Sequence, residues 1–185
     1  YGGAYLDGEL RLPGRLTVRG GGRVSYIEAD ATGDPASGSQ GFNLRWVPLV
    51  GRVGAEWRPV QMLTLRANVD HSFRAPNLND LTARQQTGPG FQFENPDLKP
   101  ERATAFEVGA ILNHRHVSVE LWAFETLLSD MVLKVSKLSS ECPPATPQCD
   151  GSWTRFQLQN APEIAELRGV ESALRLRGPW GLSLR

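Results

Sequence analysis

The residues that could ligate a metal or carry redox chemistry are three histidines and two cysteines. Cys142 and Cys149 are too far apart for the C-x-x-C spacing of a dithiol redox centre, and two thiols are fewer ligands than a zinc site uses. His114 and His116 have an i, i+2 spacing that can chelate a metal, but they fall in a predicted turn, where exposure to solvent is the commoner role. No His-Glu-x-x-His, Ser-His-Asp or nucleophile-elbow pattern is present. The sequence therefore predicts no catalytic residue, no metal site and no cofactor, and the chain is not expected to be an enzyme.

Charged side chains recur at alternate positions between Leu63 and Arg74. One face of this segment carries Leu63, Leu65, Ala67, Val69, His71 and Phe73, and the other carries Thr64, Arg66, Asn68, Asp70, Ser72 and Arg74. A period of two over about 12 residues predicts a β-strand of about 40 Å, twice the usual strand length. Such a strand is too long for most soluble sheets and long enough to cross a membrane at a tilt.

The same alternation elsewhere predicts about eight strands, and the connections between them alternate in length. Short turns fall at Pro13-Gly14, Pro59, residues 113–116 and Gly178-Pro179, whereas long polar loops fall at residues 29–41, 75–102 and 139–152. Bacterial outer-membrane barrels have short periplasmic turns and long external loops. The sequence therefore predicts an all-β fold of antiparallel, up-and-down transmembrane β-barrel strands. A blurred alternation at residues 125–130 predicts a bulge in a strand that continues through residues 131–135.

Charge and hydropathy are compatible with this fold. The formal net charge is zero, which gives no global electrostatic reason to expect a nucleic-acid partner. No apolar run approaches the roughly 18 residues of a membrane helix. A barrel strand exposes only alternate side chains to lipid, so modest hydropathy does not argue against a membrane barrel.

Two sequence motifs separated by a variable loop carry a family resemblance. They read S-F-R-A-P-N-L-N-D-L over residues 72–81 and N-P-D-L-K-P-E over residues 95–101, followed by F-E-V-G at 106–109 and R-G-V-E at 168–171. This pattern resembles the C-terminal part of the β-barrel domain of TonB-dependent outer-membrane receptors. The resemblance implies that residues 1–185 are about a third of a 22-stranded barrel in the outer membrane of a bacterial cell. It also implies an N-terminal plug domain and a TonB-binding segment, both expected to lie outside this sequence.

Both ends of the chain are expected to be cut. The sequence begins without Met or a signal-peptide pattern and ends within a predicted strand. Eight strands could close a small barrel, but the first strand would then begin outside the cell, the wrong side for a chain that enters from the periplasm. An open sheet would leave two edges in lipid, where each unpaired backbone group costs several kcal/mol. A fragment of a larger barrel is therefore the favoured interpretation.

Cys142 and Cys149 fall in a loop that the barrel interpretation places outside the cell. The oxidising compartment and the even number of cysteines favour a disulfide between them. Closing this short loop would stabilise it by about 2 to 3 kcal/mol in the chain-entropy description.

External loops on a rigid scaffold are the expected place for solute contacts. The candidate ligand-binding residues are Arg74, Arg84, Gln85, Gln86, Phe91 and Phe93. The inward mid-strand charges Arg66, Asp70, Glu107, Glu171 and Arg175 are expected to be solvated, to pair with one another or to face the plug. Trp57, Trp122, Trp153 and Trp180 are predicted to belong to interfacial aromatic girdles.

The resemblance implies a receptor that imports a scarce solute, such as a ferric siderophore, haem, cobalamin or a glycan, by TonB-coupled active transport. Its partners would be outer-membrane lipid, the TonB energy-coupling protein and a small-molecule or metal-chelate substrate, with no nucleic acid. Two alternatives stay open at this point. One is a passive or structural outer-membrane barrel, which would lack the plug, and the other is a soluble β-sandwich binding module.

Overall fold

The structure is a computed structural model that describes residues 1–36, 38–39, 41–87, 90–142, 149, 154–178 and 183–184. Regular structure within these ranges is almost entirely β. No helix in the described part of the chain is long and apolar enough to cross a membrane. Trp153, Trp180 and the predicted turn residue Pro179 lie outside the described residues.

The elements follow one another in this order: β1 (Gly2–Leu12), β2 (Leu16–Ala31), β3 (Phe42–Trp46), β4 (Leu49–Val60), β5 (Leu63–Arg74), α1 (Leu78–Thr82), β6 (Gln85–Thr87), β7 (Gly90–Phe93), β8 (Glu101–His114), β9 (Val117–Ser129), β10 (Val132–Lys137), a 3₁₀ turn (Ser139–Glu141), β11 (Thr154–Asn160), β12 (Ala165–Arg177) and β13 (Ser183–Leu184).

Eight of the strands form one antiparallel sheet, which we call the wall, in the order β1-β2-β4-β5-β8-β9-β12-β13. β3 pairs with β2 beside this path. Each wall strand pairs with the next wall strand along the chain, which is the up-and-down order predicted from the sequence. The predicted all-β fold with about eight barrel strands is confirmed. The wall strands form a single layer in the described residues, so the soluble β-sandwich alternative is wrong.

The strand register places side chains of similar polarity in rows across the wall. One row consists of Leu10, Val18, Ala55, Ala67, Val108, Ala123 and Val170. The adjacent row, on the opposite face, consists of Glu9, Arg19, Gly54, Asn68, Glu107, Phe124 and Gly169. We call these two sides of the wall the apolar face and the polar face. A lipid-facing apolar side and a polar lumen are the arrangement that a large membrane barrel requires.

The connections between wall strands segregate by length. At one end, the turn end, residues 13–15, 61–62 and 115–116 make tight turns. Gly14 has a φ of +79°, a conformation that glycine adopts without a Cβ clash. At the other end, the loop end, residues 32–48, 75–100 and 130–164 make the three long connections. The predicted alternation of short turns and long loops is confirmed for these connections.

A second sheet forms from two of the long connections. β6 and β7 make a hairpin, β7 pairs in parallel with β11, and β11 pairs antiparallel with β10. We call this four-stranded sheet the loop sheet. The parallel pair joins the connection after β5 to the connection after β9, and the sequence predicted neither β7 nor β11 as a strand.

The predicted bulge near residues 125–130 is wrong. β9 leaves the wall at Ser129, and Asp130 turns the chain with a φ of +55°. β10 then pairs with β11 in the loop sheet, whereas a bulged strand would have kept its wall partner. The first polar loop begins later than predicted, because residues 29–31 continue β2 and pair with β3.

Trp122 lies on the polar face in the middle of β9, directly opposite Gly109 of β8. Its ring covers this glycine so closely that a Cβ atom on Gly109 would lie 2.2 Å from Cε3 of Trp122. The girdle prediction for Trp122 is therefore wrong. Trp57 lies on the apolar face near the turn end and is 47% exposed, so its role in a girdle stays a prediction.

Candidate functional site

Arg74 is the last residue of β5 and holds the roots of two long connections together. Its guanidinium donates to Oδ2 of Asp80 at 3.0 Å and pairs with Glu101, the first residue of β8. The other carboxylate oxygen of Glu101 accepts the backbone N–H of Val132 at 2.7 Å. These bonds join β5, β8 and β10 where they meet. Arg74, predicted as a ligand contact, is thus committed to an ion-pair network at the base of the loops.

Asn77 and Asp80 cap the short helix α1. The Asn77 side chain accepts the N–H of Asp80 at 2.8 Å, and Asp80 Oδ2 accepts the N–H of Asn77 at 3.1 Å. This reciprocal capping box satisfies two backbone donors that a helix start would otherwise leave unpaired. Leu81, a residue of this helix, is fully buried. The R-A-P-N-L-N-D motif is therefore architectural.

Side-chain amides fasten the second long connection to the third. Asn95 donates from Nδ2 to the carbonyl oxygen of Leu158 at 2.8 Å, and Gln157 donates from Nε2 to the carbonyl oxygen of Glu94 at 2.9 Å. Bonds of this kind satisfy loop backbone groups that no strand partner reaches. They extend the parallel pairing of β7 and β11 by about two residues.

Asn160 makes the most extensive of these contacts. Its Oδ1 accepts the N–H of Lys99 at 2.8 Å, while its Nδ2 donates to the carbonyl oxygens of Lys99 at 2.9 Å and Asp130 at 2.6 Å. One side chain thus joins the N-P-D-L-K motif to the residue where β9 leaves the wall. Sequence reasoning missed Asn160, because a single asparagine at a strand end carries no distinguishing pattern.

Arg84 connects the loop sheet to the first long connection. It pairs with Glu94, and both side chains are only 13% exposed. Its Nη2 also donates to the carbonyl oxygen of Gly38 at 3.0 Å. All three long connections are therefore joined, and the predicted ligand residue Arg84 lies within that junction.

Phe91 and Phe93 pack inside the loop sheet with the cysteine pair. Phe91 is 5% exposed, Phe93 is 3% exposed and Cys149 is fully buried. The sulfur atoms of Cys142 and Cys149 are joined at 2.12 Å. Both rings belong to the buried core of the loop sheet, so neither is available to a solute in this conformation.

Gln85 and Gln86 lie on β6, the outer strand of the loop sheet, and both are exposed. Their side chains carry amide donors and acceptors that can meet a polar solute. Among the six predicted ligand residues, these two are exposed at the edge, two are ion-paired and two are buried. The loop end brings all six into one assembly, but in three different roles.

Ion pairs cover much of the polar face. Arg66 donates to Glu56 at 2.9 Å and Arg52 donates to Asp7 at 3.0 Å. The pairing expected for inward charges is thus present at Arg66. Asp70, Glu171 and Arg175 have no hydrogen bond or ion pair to any residue that the structure describes.

The histidines are not gathered into a site. Nδ1 of His71 lies 3.0 Å from Oγ1 of Thr104 on the apolar face, whereas His114 ends β8 and His116 lies in the tight turn that follows. The described residues contain no group of three or more side chains that could hold a metal ion.

The family model described as "TonB dependent receptor-like, beta-barrel" matches residues 1–185, the whole chain. The chain belongs to this family, and it lies in the outer membrane as part of a barrel wall. The predicted resemblance and localisation are confirmed.

Among the relatives is the "Iron-regulated outer membrane virulence protein" of Vibrio cholerae serotype O1, 30% identical over 175 residues. That match covers 93% of this chain and 24% of the relative, so the chain spans about a quarter of the length of the curated relatives it matches. Two solved structures share the fold. The copper transporter OprC has a TM-score of 0.70 and 16% identity over 95% of this chain and 26% of its own. The hemophore receptor HasR of Serratia marcescens, solved with its hemophore HasA and heme, has a TM-score of 0.65 and 17% identity over 88% of this chain and 29% of its own.

Proposed function

We propose that this chain forms part of the wall and three external loops of a receptor that imports a scarce solute by TonB-coupled active transport. The observation that carries the proposal is the joining of all three long connections at one end of the wall. A passive pore needs no such assembly, whereas a receptor needs a rigid surface outside the membrane that recognises its solute.

We place the solute in the class of metal chelates, such as a ferric siderophore or haem. The support is the naming of relatives and structural neighbours, which include an iron-regulated outer-membrane protein, a copper transporter and a hemophore receptor. Gln85 and Gln86 are the exposed polar groups proposed to contact it first. Arg74 and Arg84 would act by holding the loops, and Phe91 and Phe93 by supporting the sheet from within.

The plug domain and the TonB-binding segment belong, in this proposal, to the remainder of the protein on the N-terminal side. The charges of Asp70, Glu171 and Arg175 on the polar face, which have no ion pair within the described residues, are suited to contact such a plug. Sequencing the parent reading frame tests this directly. The proposal expects a mixed α/β domain of about 150 residues upstream, with further alternating strands in the same protein.

Solute contact is tested in the full-length protein by replacing both Gln85 and Gln86 with Ala and titrating a panel of ferric siderophores and haem. Loss of two hydrogen-bonding side chains should raise the Kd of the cognate solute about tenfold. Gln61→Ala, an exposed glutamine in a turn at the opposite end of the wall, is the matched control. Unchanged affinity in the double variant would show that β6 is not part of the binding surface.

Energy coupling is tested separately by measuring uptake in cells without TonB. The proposal expects uptake to be lost while binding at the cell surface persists. Uptake that continues at the same rate would contradict active transport and would favour a passive outer-membrane barrel.

A further inference from the structure

A cavity of about 410 Å³ opens at the loop end of the wall, where β3 and β4 meet the ends of β5 and β8. Its lining includes Arg45, Trp46, His71, Phe73 and Arg102. His71 and Phe73 alternate with the polar-face residues of β5, so they belong to the apolar face. The cavity therefore opens toward lipid, on the opposite side of the wall from the lumen.

The height of the cavity matches the boundary between lipid tails and headgroups. Apolar-face positions on β5 run from Leu63 to Phe73, which spans about 34 Å along the strand and about 26 Å of height at a tilt of about 40°. The lipid-facing band of an outer-membrane barrel is about 25 Å tall. The cavity is lined by His71 and Phe73, the last two apolar-face positions before the external loops, so it lies at the edge of that band.

Arginine side chains supply the charge of the cavity. Arg102 is directly opposite Phe73 in the register, is exposed, and has no hydrogen bond or ion pair to any described residue. Arg45 enters from β3 and pairs with Glu28 at 3.1 Å while remaining 62% exposed. A guanidinium at a lipid boundary is unfavourable beside hydrocarbon and favourable beside a phosphate, which it can bind with two parallel hydrogen bonds.

We propose that this cavity binds the phosphate-bearing headgroup of a lipid in the outer leaflet. Arg102 and Arg45 contact the phosphate, and the ring of Phe73 lies against the adjoining part of the lipid, as aromatic residues do at membrane interfaces. The imported solute is excluded as the occupant, because it passes through the lumen on the other face. The assignment does not depend on which solute is imported or on energy coupling.

Native mass spectrometry of the full-length protein in detergent tests the assignment. The probe is lipid A, a bisphosphorylated acylated disaccharide, compared with the same lipid after removal of its phosphates. We expect Arg102→Gln to weaken binding of the phosphorylated lipid about tenfold and to leave the dephosphorylated lipid unaffected. Arg175→Gln removes an arginine that also lacks an ion pair in the described residues but lies on the polar face, and it should bind lipid A as the wild type does.

Arg45→Gln provides a second variant on a different strand, so the test does not depend on one substitution folding well. Equal binding of both lipid forms by the wild type, or wild-type affinity in both Arg102→Gln and Arg45→Gln, would overturn the proposal. Inorganic phosphate that displaces lipid A at equal phosphate concentration would also overturn it, because the cavity would then be a site for the free anion.

Discussion

The wall and the loop sheet are both β-structure, but they are stabilised in different ways. In the wall, each long strand pairs with its neighbours in sequence over 8 to 13 residue pairs. In the loop sheet, the pair that joins the two connections contains only four residue pairs and is parallel. Its remaining support comes from a disulfide and from side-chain amides such as Asn160.

This difference shows how one chain combines a stable membrane segment with an adaptable external surface. In lipid every backbone N–H and C=O group must be hydrogen-bonded within the protein, and long antiparallel strands pair these groups along their whole length. Loop segments outside the lipid can exchange hydrogen bonds with water, so a few specific contacts are enough to order them. Damage to the wall should therefore affect the whole fold, whereas damage to the loop sheet should remain local.

The largest effect is expected from Gly109→Val in the wall. A Cβ atom at this position would lie 2.2 Å from the Trp122 ring, so the ring must leave its place over the strand. We expect a loss of about 3 kcal/mol in the free energy of unfolding, measured by urea titration in lipid vesicles. Gly20→Ala is the control, because its nearest contact is an ordinary 3.6 Å from the carbonyl oxygen of Arg52. Equal stability of both variants would contradict the close packing at Trp122.

Replacing Cys142 and Cys149 with Ser should destabilise the loop sheet by about 2 to 3 kcal/mol. Hydrogen exchange should accelerate in β7 and β11, which pack near the disulfide, and should stay unchanged in β5 and β8. Faster exchange throughout the wall would show that the two sheets unfold as one unit, which would contradict separate stabilisation of the wall and the loop sheet.

The smallest effect concerns Glu141 in the 3₁₀ turn beside Cys142. The backbone N–H of Leu138 at 2.7 Å and the Lys137 ammonium at 2.9 Å hold the pKa of this carboxyl below its ordinary value. Its contribution is therefore complete above the ordinary glutamate pKa of about 4.3 and is lost as pH falls through the lowered folded-state pKa. Protonation of Glu141 should loosen this turn and should not affect the wall.

This pH effect is measured as the rate at which a phosphine reductant cleaves the disulfide. The ratio of the wild-type rate to the Glu141→Gln rate should rise toward one as the pH falls. Glu163→Gln, an exposed glutamate of the same long connection, is the control and should match the wild type at every pH. A ratio independent of pH would contradict the role given to Glu141.

The sequence predicted the wall well because its information is periodic. Alternation along β5 gave the strand bounds, and the lengths of the connections gave the up-and-down order. The loop sheet depends instead on pairing between residues about 60 positions apart, and no local pattern signals that Phe91 will pair with Arg155. Burial of Phe91 and Phe93 follows from this pairing, so their predicted availability to a solute could not be checked from the sequence.

Trp122 illustrates the same limit within the wall. Tryptophan is common at membrane interfaces, and that preference, together with the position of Trp122 near a predicted strand end, led to the girdle prediction. Its face follows from the alternation of β9, in which Leu121 and Ala123 lie on the apolar face. The room for its ring comes from Gly109 on the neighbouring strand, and no local pattern signals that pairing. In contrast, the capping box of Asn77 and Asp80 is a local signal of a helix start that the sequence does carry.

Labelling of cysteine variants on intact cells determines which end of the wall faces the outside of the cell. Gln86→Cys at the loop end and His116→Cys at the turn end would each be introduced into the full-length protein. A bulky, membrane-impermeant maleimide should label Gln86→Cys on intact cells and should label His116→Cys only after the outer membrane is permeabilised. The reverse pattern, or equal labelling of both positions on intact cells, would contradict a barrel wall whose long loops lie outside the cell.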